Sequence, residues 1–378
     1  MATSGDPPSA SMVLVPAGSE VADVNQLTRE KYVKDDKIGE GTYAIVYRAH
    51  VRATGQPVAI KKIKISSQSE GISMDSLREI KHLQELRHQN IVNLLDVFVG
   101  KSHNIHAVLE FLAGDLEGII KDTSCVYGSG DIKSWMAMSL RGLWWCHRNF
   151  VLHRDIKPNN LLYTMSGILK IADFGLARSF ADPHANMTHQ VVTRWYRPPE
   201  LFYGAKHYGA AIDIFSMGAV FAELVLRAPY LPGSTDLAQL EVIVTALGQP
   251  SEQNWPGVTK LPQYCVTNDA MPPEVDLQGM KRQFQSMSMS GLQLLHGMLR
   301  LDPRKRVTAR DALESEWFRE EPMPTKPHDL PGKKGKEEQE KVGQDLKRRA
   351  GYDDVLNGDE LIADRGKNVA RRLDFGGM

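Results

Sequence analysis

An α+β fold is expected for this chain, on three observations. Residues 32–64 and 94–111 read as short apolar strands, three and then two, with one helix starting near Ser73 between them. Asp131 to Phe150, and Asp213 to about Leu226, read as longer apolar-sided helices. Between those two helices lies a polar stretch, His153-Arg154-Asp155-Ile156-Lys157-Pro158-Asn159-Asn160, followed by Asp173-Phe174-Gly175. The rest of the chain is organised about it.

Composition narrows the class. The 378 residues carry 46 Lys+Arg and 46 Asp+Glu, a formal net charge of +0. No bulk field therefore favours nucleic acid or a membrane surface, and neither is expected as a direct partner. The apolar fraction of 42% and charged fraction of 24% are those of a soluble globular protein, and the length suggests two or three domains. Cys125, Cys146 and Cys265 are scattered, with no Cys-x-x-Cys pair, which favours a reducing compartment. The histidines do not pair with cysteines at zinc spacing and read as surface or packing residues. Met12-Val13-Leu14-Val15 is too short for a signal peptide, and no apolar run approaches the ~18 residues of a membrane span.

The ends read differently from the middle. Residues 1–31 are rich in Ala, Ser, Pro, Gly and Val without a sustained period, and a disordered lead is expected there. Residues 319–378 shift to Pro, Gly and mixed charge, and a flexible tail is expected. Its basic clusters, Lys333-Lys334-Gly335-Lys336 and Lys347-Arg348-Arg349, fit a solvated tail or a nuclear import signal.

The polar stretch carries the chemistry. Asp155, Lys157 and Asn160 form a compact acid–cation–amide set. Asp173 adds a carboxylate after Leu169-Lys170-Ile171-Ala172, a short apolar segment that reads as a strand. Phosphoryl transfer needs these groups: a carboxylate to orient the attacking hydroxyl, and an amide and a carboxylate to hold Mg²⁺ on the phosphates. Their order and spacing resemble the catalytic and metal loops of eukaryotic protein kinases. The resemblance runs from about Tyr32 to Phe318.

That resemblance implies a bilobal kinase fold. A small antiparallel-sheet lobe with one main helix would cover about residues 32–112, and a larger, mainly helical lobe about residues 113–318. ATP and Mg²⁺ would sit between them. In the family pattern Asp155 orients the substrate hydroxyl, Lys157 stabilises the transferring charge, Thr193 bridges the two, and Asn160 and Asp173 hold metal. The flanks supply the other parts. Ile38-Gly39-Glu40-Gly41-Thr42-Tyr43-Ala44-Ile45-Val46 is a glycine turn between strands, with Ala44 where the pattern wants a third glycine. Small residues there let backbone N–H groups approach phosphates. Val58-Ala59-Ile60-Lys61 follows at the fitting distance, so Ala59 lines the adenine site and Lys61 binds phosphates. Lys62 should face the other way by strand alternation. Glu79, on the helix capped by Ser73, is the acid that fits as partner of Lys61. Leu109-Glu110-Phe111-Leu112 resembles the hinge, with the backbone of Glu110 and Leu112 on adenine, and Leu162 forms the floor. Asp115 fits a ribose contact and equally a helix N-cap, and both can hold.

The segment from Asp173 to Pro198-Pro199-Glu200 corresponds to the activation segment. Thr188 is the candidate phosphosite, and Arg78, Arg154 and Arg178 stand where cyclin-dependent kinases hold the phosphothreonine. Thr42 and Tyr43 resemble inhibitory phosphosites of cell-cycle kinases. Asp213 corresponds to the brace of the catalytic loop, and Arg306 to the family's partner of Glu200. Trp195-Tyr196-Arg197 is typical of the cyclin-dependent and mitogen-activated group, which prefers Ser/Thr followed by proline, and Thr188-His189-Gln190 lacks the tyrosine of the mitogen-activated branch. Asn159, Arg194 and the run Thr188 to Trp195 resemble the cyclin-dependent-kinase-activating kinases of transcription factor TFIIH. Asp182 stands where animal members carry a second phosphosite. This resemblance implies a cyclin-H-like subunit at the helix carrying Leu77-Arg78-Glu79, a RING-finger assembly factor and the TFIIH complex, in the nucleus. It implies the C-terminal repeats of RNA polymerase II as substrate, with activation loops of other cyclin-dependent kinases a second class. The rivals are a cell-cycle cyclin-dependent kinase, a mitogen-activated kinase and a pseudokinase scaffold.

Overall fold

The computed structural model describes residues 19–40, 44–64, 74–100, 104–180, 187–188, 191–267 and 275–332. Gly41, Thr42, Tyr43, Ser73 and Asp182 lie outside them, as do the basic clusters of the tail. In chain order the small lobe contains α1 (Ser19–Glu30), β1 (Tyr32–Glu40), β2 (Ala44–Val51), β3 (Pro57–Ile63), α2 (Met74–Glu85), β4 (Leu94–Val99) and β5 (Ile105–Glu110). Its five strands form an antiparallel sheet in the order β1-β2-β3-β5-β4.

Alternation explains the sheet. Val58 and Ile60 of β3 are buried on one face. With Tyr32, Ala49, Phe98 and Val108 they place the small lobe's apolar residues out of water. The turn into β3 passes through Gly55 at φ +71°, a conformation that costs other residues energy. Helix α2 buries Leu83 and, just past its end, Leu86, while Met74 and Leu77 stay 61% and 41% exposed. Its outer face therefore leaves these two apolar residues open among the exposed Arg78, Lys81, Gln84 and Glu85.

The large lobe follows with β6 (Gly114–Asp115), α3 (Leu116–Lys121), α4 (Ser129–Arg148), β7 (Val151–Leu152), β8 (Leu161–Tyr163), β9 (Leu169–Ile171) and β10 (Arg178–Ser179). Then come α5 (Pro199–Phe202), α6 (Ala211–Leu226), α7 (Asp236–Leu247), α8 (Leu277–Gln283), α9 (Met289–Met298) and α10 (Ala309–Leu313). Helix α6 is apolar on nearly every side, and Ile212 through Leu224 are buried, so it is the central helix of this lobe. Helix α4 packs against it, with Trp135, Met138 and Leu143 in the core. It delivers the chain to β7 and the catalytic loop. No helix among the described residues is long and apolar enough to cross a membrane.

Both ends depart from expectation. Within the lead expected to be disordered, Ser19–Glu30 forms a helix. Asn25 seats it on the open edge of the sheet: its Oδ1 accepts from Val99 N at 2.7 Å and its Nδ2 donates to Val99 O at 3.1 Å. One amide thus imitates the next strand at β4, an edge that would otherwise stay unpaired. The start of the tail is not free either. Arg319–Gly332 runs back along the large lobe, where the ammonium of Lys133 donates to the carbonyls of Glu320 at 2.6 Å and Pro322 at 2.9 Å. Burial lowers the pKa of Lys133, and these carbonyls solvate it in place of water. At Gly167, φ +78°, a Cβ would lie 1.7 Å from the carbonyl oxygen of Pro327. The strap fits there only because the residue has no side chain.

One buried titratable group in the sheet yields a pH prediction. His106 stacks on Phe98 at 4.8 Å, and burial, with Lys34, Lys62 and Arg29 nearby, pushes its pKa down to about 4. A base whose pKa is lowered by folding contributes stability above its unfolded value. That contribution is lost as pH falls from about 6.5 toward about 4. His106→Phe should flatten this acid limb, measured as urea midpoints at about pH 7 and about pH 4.5. An unchanged slope between the two would refute the assignment.

Candidate active site

The site forms where the sheet faces the catalytic loop. Pairing of β2 with β3 sets Val46 opposite Lys61, and pairing of β1 with β2 sets Gly39 opposite Val46. Of the described ends of the glycine turn, the β2 end thus lies one strand from Lys61 and the β1 end two. Strand alternation aims the Lys61 ammonium at two carboxylates: Glu79 Oε1 of α2 at 2.6 Å and Asp173 Oδ1 at 3.0 Å. Burial alone would lower the Lys61 pKa, but Glu79 and then Asp173 outweigh it and hold the ammonium above the usual lysine value. Partial burial likewise opposes ionisation of Asp173, and Lys61 outweighs it, leaving the carboxyl below its usual range. Glu40, exposed beside the turn, is held down to about 2 by Lys37 and Lys64.

The catalytic loop is held from beneath. Asp213, near the start of α6 and 1% exposed, accepts His153 N at 2.9 Å and Arg154 N at 2.8 Å. Burial would raise its pKa, but His147 Nε2 at 2.9 Å and the backbone donors keep it ionised below the usual range. These bonds hold Arg154 at φ +64°, where a non-glycine residue costs about 1–3 kcal/mol. Above this brace, Asp155 Oδ1 accepts from Thr193 Oγ1 at 2.8 Å and Thr193 N at 3.2 Å. Its Oδ2 lies 2.7 Å from Lys157 Nζ, and Lys157 also donates to Thr193 Oγ1 at 3.0 Å. Asn160 Nδ2 donates to Asp155 O at 2.8 Å and to Oδ2 at 3.1 Å. Asp173 stands at φ +63°, and Phe174 after it is fully buried, edge-on to His153 at 4.9 Å.

The donor set fits Mg²⁺. With Nδ2 of Asn160 spent on Asp155, the amide atom left for a ligand is its oxygen. Lys61 engages only Oδ1 of Asp173, whose side chain is 49% exposed. A carboxylate and an amide oxygen are the hard donors Mg²⁺ takes, with phosphates and water completing the shell. Among the described residues no cluster of three or more His, Cys, Asp or Glu could hold a metal ion.

The strands expected to line adenine also pair with one another. Leu109 pairs with Ala59 and Glu110 with Val58 across β5 and β3, and Leu162 pairs with Asp115 across β8 and β6. Asp115 makes the helix cap, accepting Gly118 N at 2.8 Å through Oδ1. Glu110 gives its backbone N–H to Asn93 O at 3.1 Å. Ile38, 53% exposed, marks the outer lip of β1.

The activation segment is tied down at several points. Tyr208 donates to the carbonyl of Thr188 at 2.6 Å and accepts from Arg154 Nη1 at 3.1 Å. Arg178 sits in β10 opposite Leu152, two residues from Arg154. Arg78 is exposed on α2. Val192 stands at φ +69°, and its carbonyl accepts from Arg197 Nε at 3.3 Å and Nη2 at 3.1 Å. Trp195 Nε1 and Arg194 fasten the next turn to Gly233, Ser234 and Asp236 at the head of α7. Beyond it, Glu200 and Arg306 form a buried two-pronged ion pair at 2.5 and 2.7 Å. Sequence reasoning missed Tyr208, the turned carbonyl of Val192 and Lys170. Only Lys170 left a trace, as a lone cation inside an apolar strand.

A carboxylate poised for a hydroxyl, a paired lysine for phosphates and oxygen donors for Mg²⁺ define a phosphotransferase acting on alcohol side chains. The protein kinase domain model matches residues 32–318, and the chain belongs to that family. It is a serine/threonine protein kinase that uses ATP with Mg²⁺. It is 49% identical to Serine/threonine-protein kinase KIN28 of Saccharomyces cerevisiae over 300 residues, 79% of this chain and 97% of that protein. It is 49% identical to Cyclin-dependent kinase 7 of Dictyostelium discoideum over 308 residues, 80% of this chain and 83% of that protein. Among solved structures it is similar to a chain of the CAK complex of Chaetomium thermophilum bound to ATP-gamma-S. The TM-score is 0.80 at 51% identity, covering 83% of this chain and 98% of that one.

Proposed function

We propose that this chain is a cyclin-dependent, proline-directed kinase of the TFIIH-associated, cyclin-dependent-kinase-activating kind. It acts in the nucleus on the C-terminal repeats of RNA polymerase II and on activation loops of other cyclin-dependent kinases. Asp155 orients the substrate hydroxyl and accepts its proton, with Thr193 and Lys157 fixing its two oxygens. Lys157 also faces the charge that gathers on the transferring phosphoryl group. Lys61, braced by Glu79, holds the phosphates, and Ile38, Val46, Ala59, Leu162 and the backbone of Glu110 and Leu112 enclose adenine. Asn160 and Asp173 hold Mg²⁺, which neutralises phosphate charge when bound. Arg154, with Arg78 and Arg178, receives the Thr188 phosphate. The open apolar residues Met74 and Leu77 of α2 receive the cyclin.

The observation that carries the substrate preference is Val192. Its carbonyl is turned into Arg197 and is not offered to a bound peptide. A residue after the phosphoacceptor that brings an N–H would leave that donor unpaired, and proline brings none. Replacing Ser-Pro by Ser-Ala in a repeat peptide should lower kcat/KM about 10- to 100-fold. Equal rates on the two peptides would sink the proline assignment. For the partners, the tagged chain is purified from its own cells and its companions identified. A cyclin-H-like subunit with transfer to polymerase repeats supports the proposal. A mitotic cyclin without such transfer moves it to the cell-cycle branch.

A further inference from the structure

Behind the adenine side lies an ion pair, with its lysine buried and its glutamate partly buried, that the catalytic scheme does not use. Lys170 on β9 is 5% exposed, and its ammonium lies 2.7 Å from Glu110 Oε1. The same ammonium donates to Ile91 O at 3.3 Å. Glu110 Oε1 also accepts Asn93 N at 2.7 Å, while Glu110 N donates to Asn93 O at 3.1 Å. Asn93 therefore grips both the backbone and the carboxylate of Glu110.

The loop that supplies Ile91 and Asn93 is itself fastened to β9. Ile171 N donates to Asn90 O at 2.9 Å, Val92 N donates to Ile171 O at 3.0 Å, and Asn90 Nδ2 donates to Leu169 O at 2.8 Å. Three segments meet here: the loop after α2, the end of β5 and the strand that leads to Asp173. Taking two charges out of water costs several kcal/mol each, and such a pair is weak evidence for stability. What this one does supply is orientation, because the pair joins β9 to the end of β5 and both side chains bond to backbone atoms of the loop between α2 and β4.

We propose that Lys170 is a positioning residue for the nucleotide. It fixes Glu110 of the hinge in the orientation that receives the adenine amino group, and couples that orientation to the strand that leads to Asp173. This rests on reading Leu109–Leu112 as the adenine-binding hinge. Lys170 touches no substrate, so its loss acts through Glu110.

The test compares ATP with purine riboside triphosphate, which lacks the 6-amino group, as phosphoryl donors to a Ser-Pro peptide. The full chain is used, purified with whatever subunits accompany it. Lys170→Met should raise KM for ATP about tenfold, the equivalent of one good hydrogen bond. kcat and the KM for peptide should change less than about threefold, and KM for purine riboside triphosphate should hardly move. Lys170→Arg should recover most of the loss. Should Lys170→Met fold poorly, the pair Lys170→Met with Glu110→Leu removes both charges, and the same shift in nucleotide preference is expected. An ATP KM within about twofold of the native value overturns the proposal, as does an equal loss with both nucleotides. A faster reaction after release of the pair overturns it as well. Native chain without transfer to the peptide would fail the kinase reading instead.

Discussion

Asp155→Asn should abolish phosphoryl transfer, lowering kcat by at least about 10²–10⁴-fold. The substitution keeps the shape of the side chain. Thr193 and Lys157 can still find the remaining oxygen, so the loop should stay in place. What is lost is the negative charge and the basic oxygen facing the hydroxyl. The proposal gives ATP binding to other residues, Lys61 with Glu79 and the hinge, so affinity for ATP should be retained. The check is single-turnover transfer to a Ser-Pro peptide beside nucleotide affinity and thermal melting. Turnover within about tenfold of native, with folding intact, would remove Asp155 from its role.

Arg306→Leu should destabilise the large lobe by about 3–5 kcal/mol, because it strands the buried carboxylate of Glu200. The Arg306 side chain is fully buried. Besides Glu200, it donates to the carbonyls of Arg300, Leu301 and Ala211. Glu200 begins the helix after the activation segment, so activity should fall together with stability. Removing both charges, as Arg306→Leu with Glu200→Leu, should cost less than the single change, since no lone charge then remains buried. Urea unfolding of the three proteins decides it. A single variant losing less than about 1 kcal/mol would mean that the pair is not buried as described.

The catalytic stretch was legible because its chemistry is compact. Asp155, Lys157 and Asn160 lie within six residues, and Asp173 follows one short hairpin later. The choice of Lys61 over Lys62 came from the two-residue period of a strand, and the ammonium of Lys61 is the one that meets Glu79 and Asp173. Apolar periodicity likewise placed the helices of Trp135 and Ile214 in the core. Elsewhere a local pattern was the wrong guide. The lead shows no sustained period, yet Ser19–Glu30 is a helix seated on β4 through Asn25. The start of the tail reads as a solvated linker, yet it is bound by Lys133 and by the gap above Gly167.

Residue types at fixed spacing thus determined the class of enzyme and its nucleotide. Those properties reside in side-chain chemistry and in the short-range geometry of strands and turns. Tertiary structure alone decided three other matters: that Val192 turns its carbonyl into Arg197, that Tyr208 joins Thr188 to Arg154, and that Lys170 reaches Glu110. The last two join residues from 20 to 60 positions apart. The first is a backbone torsion that valine does not favour and that its surroundings impose. Long-range contacts and imposed torsions leave no periodic trace, because they are consequences of how finished elements pack.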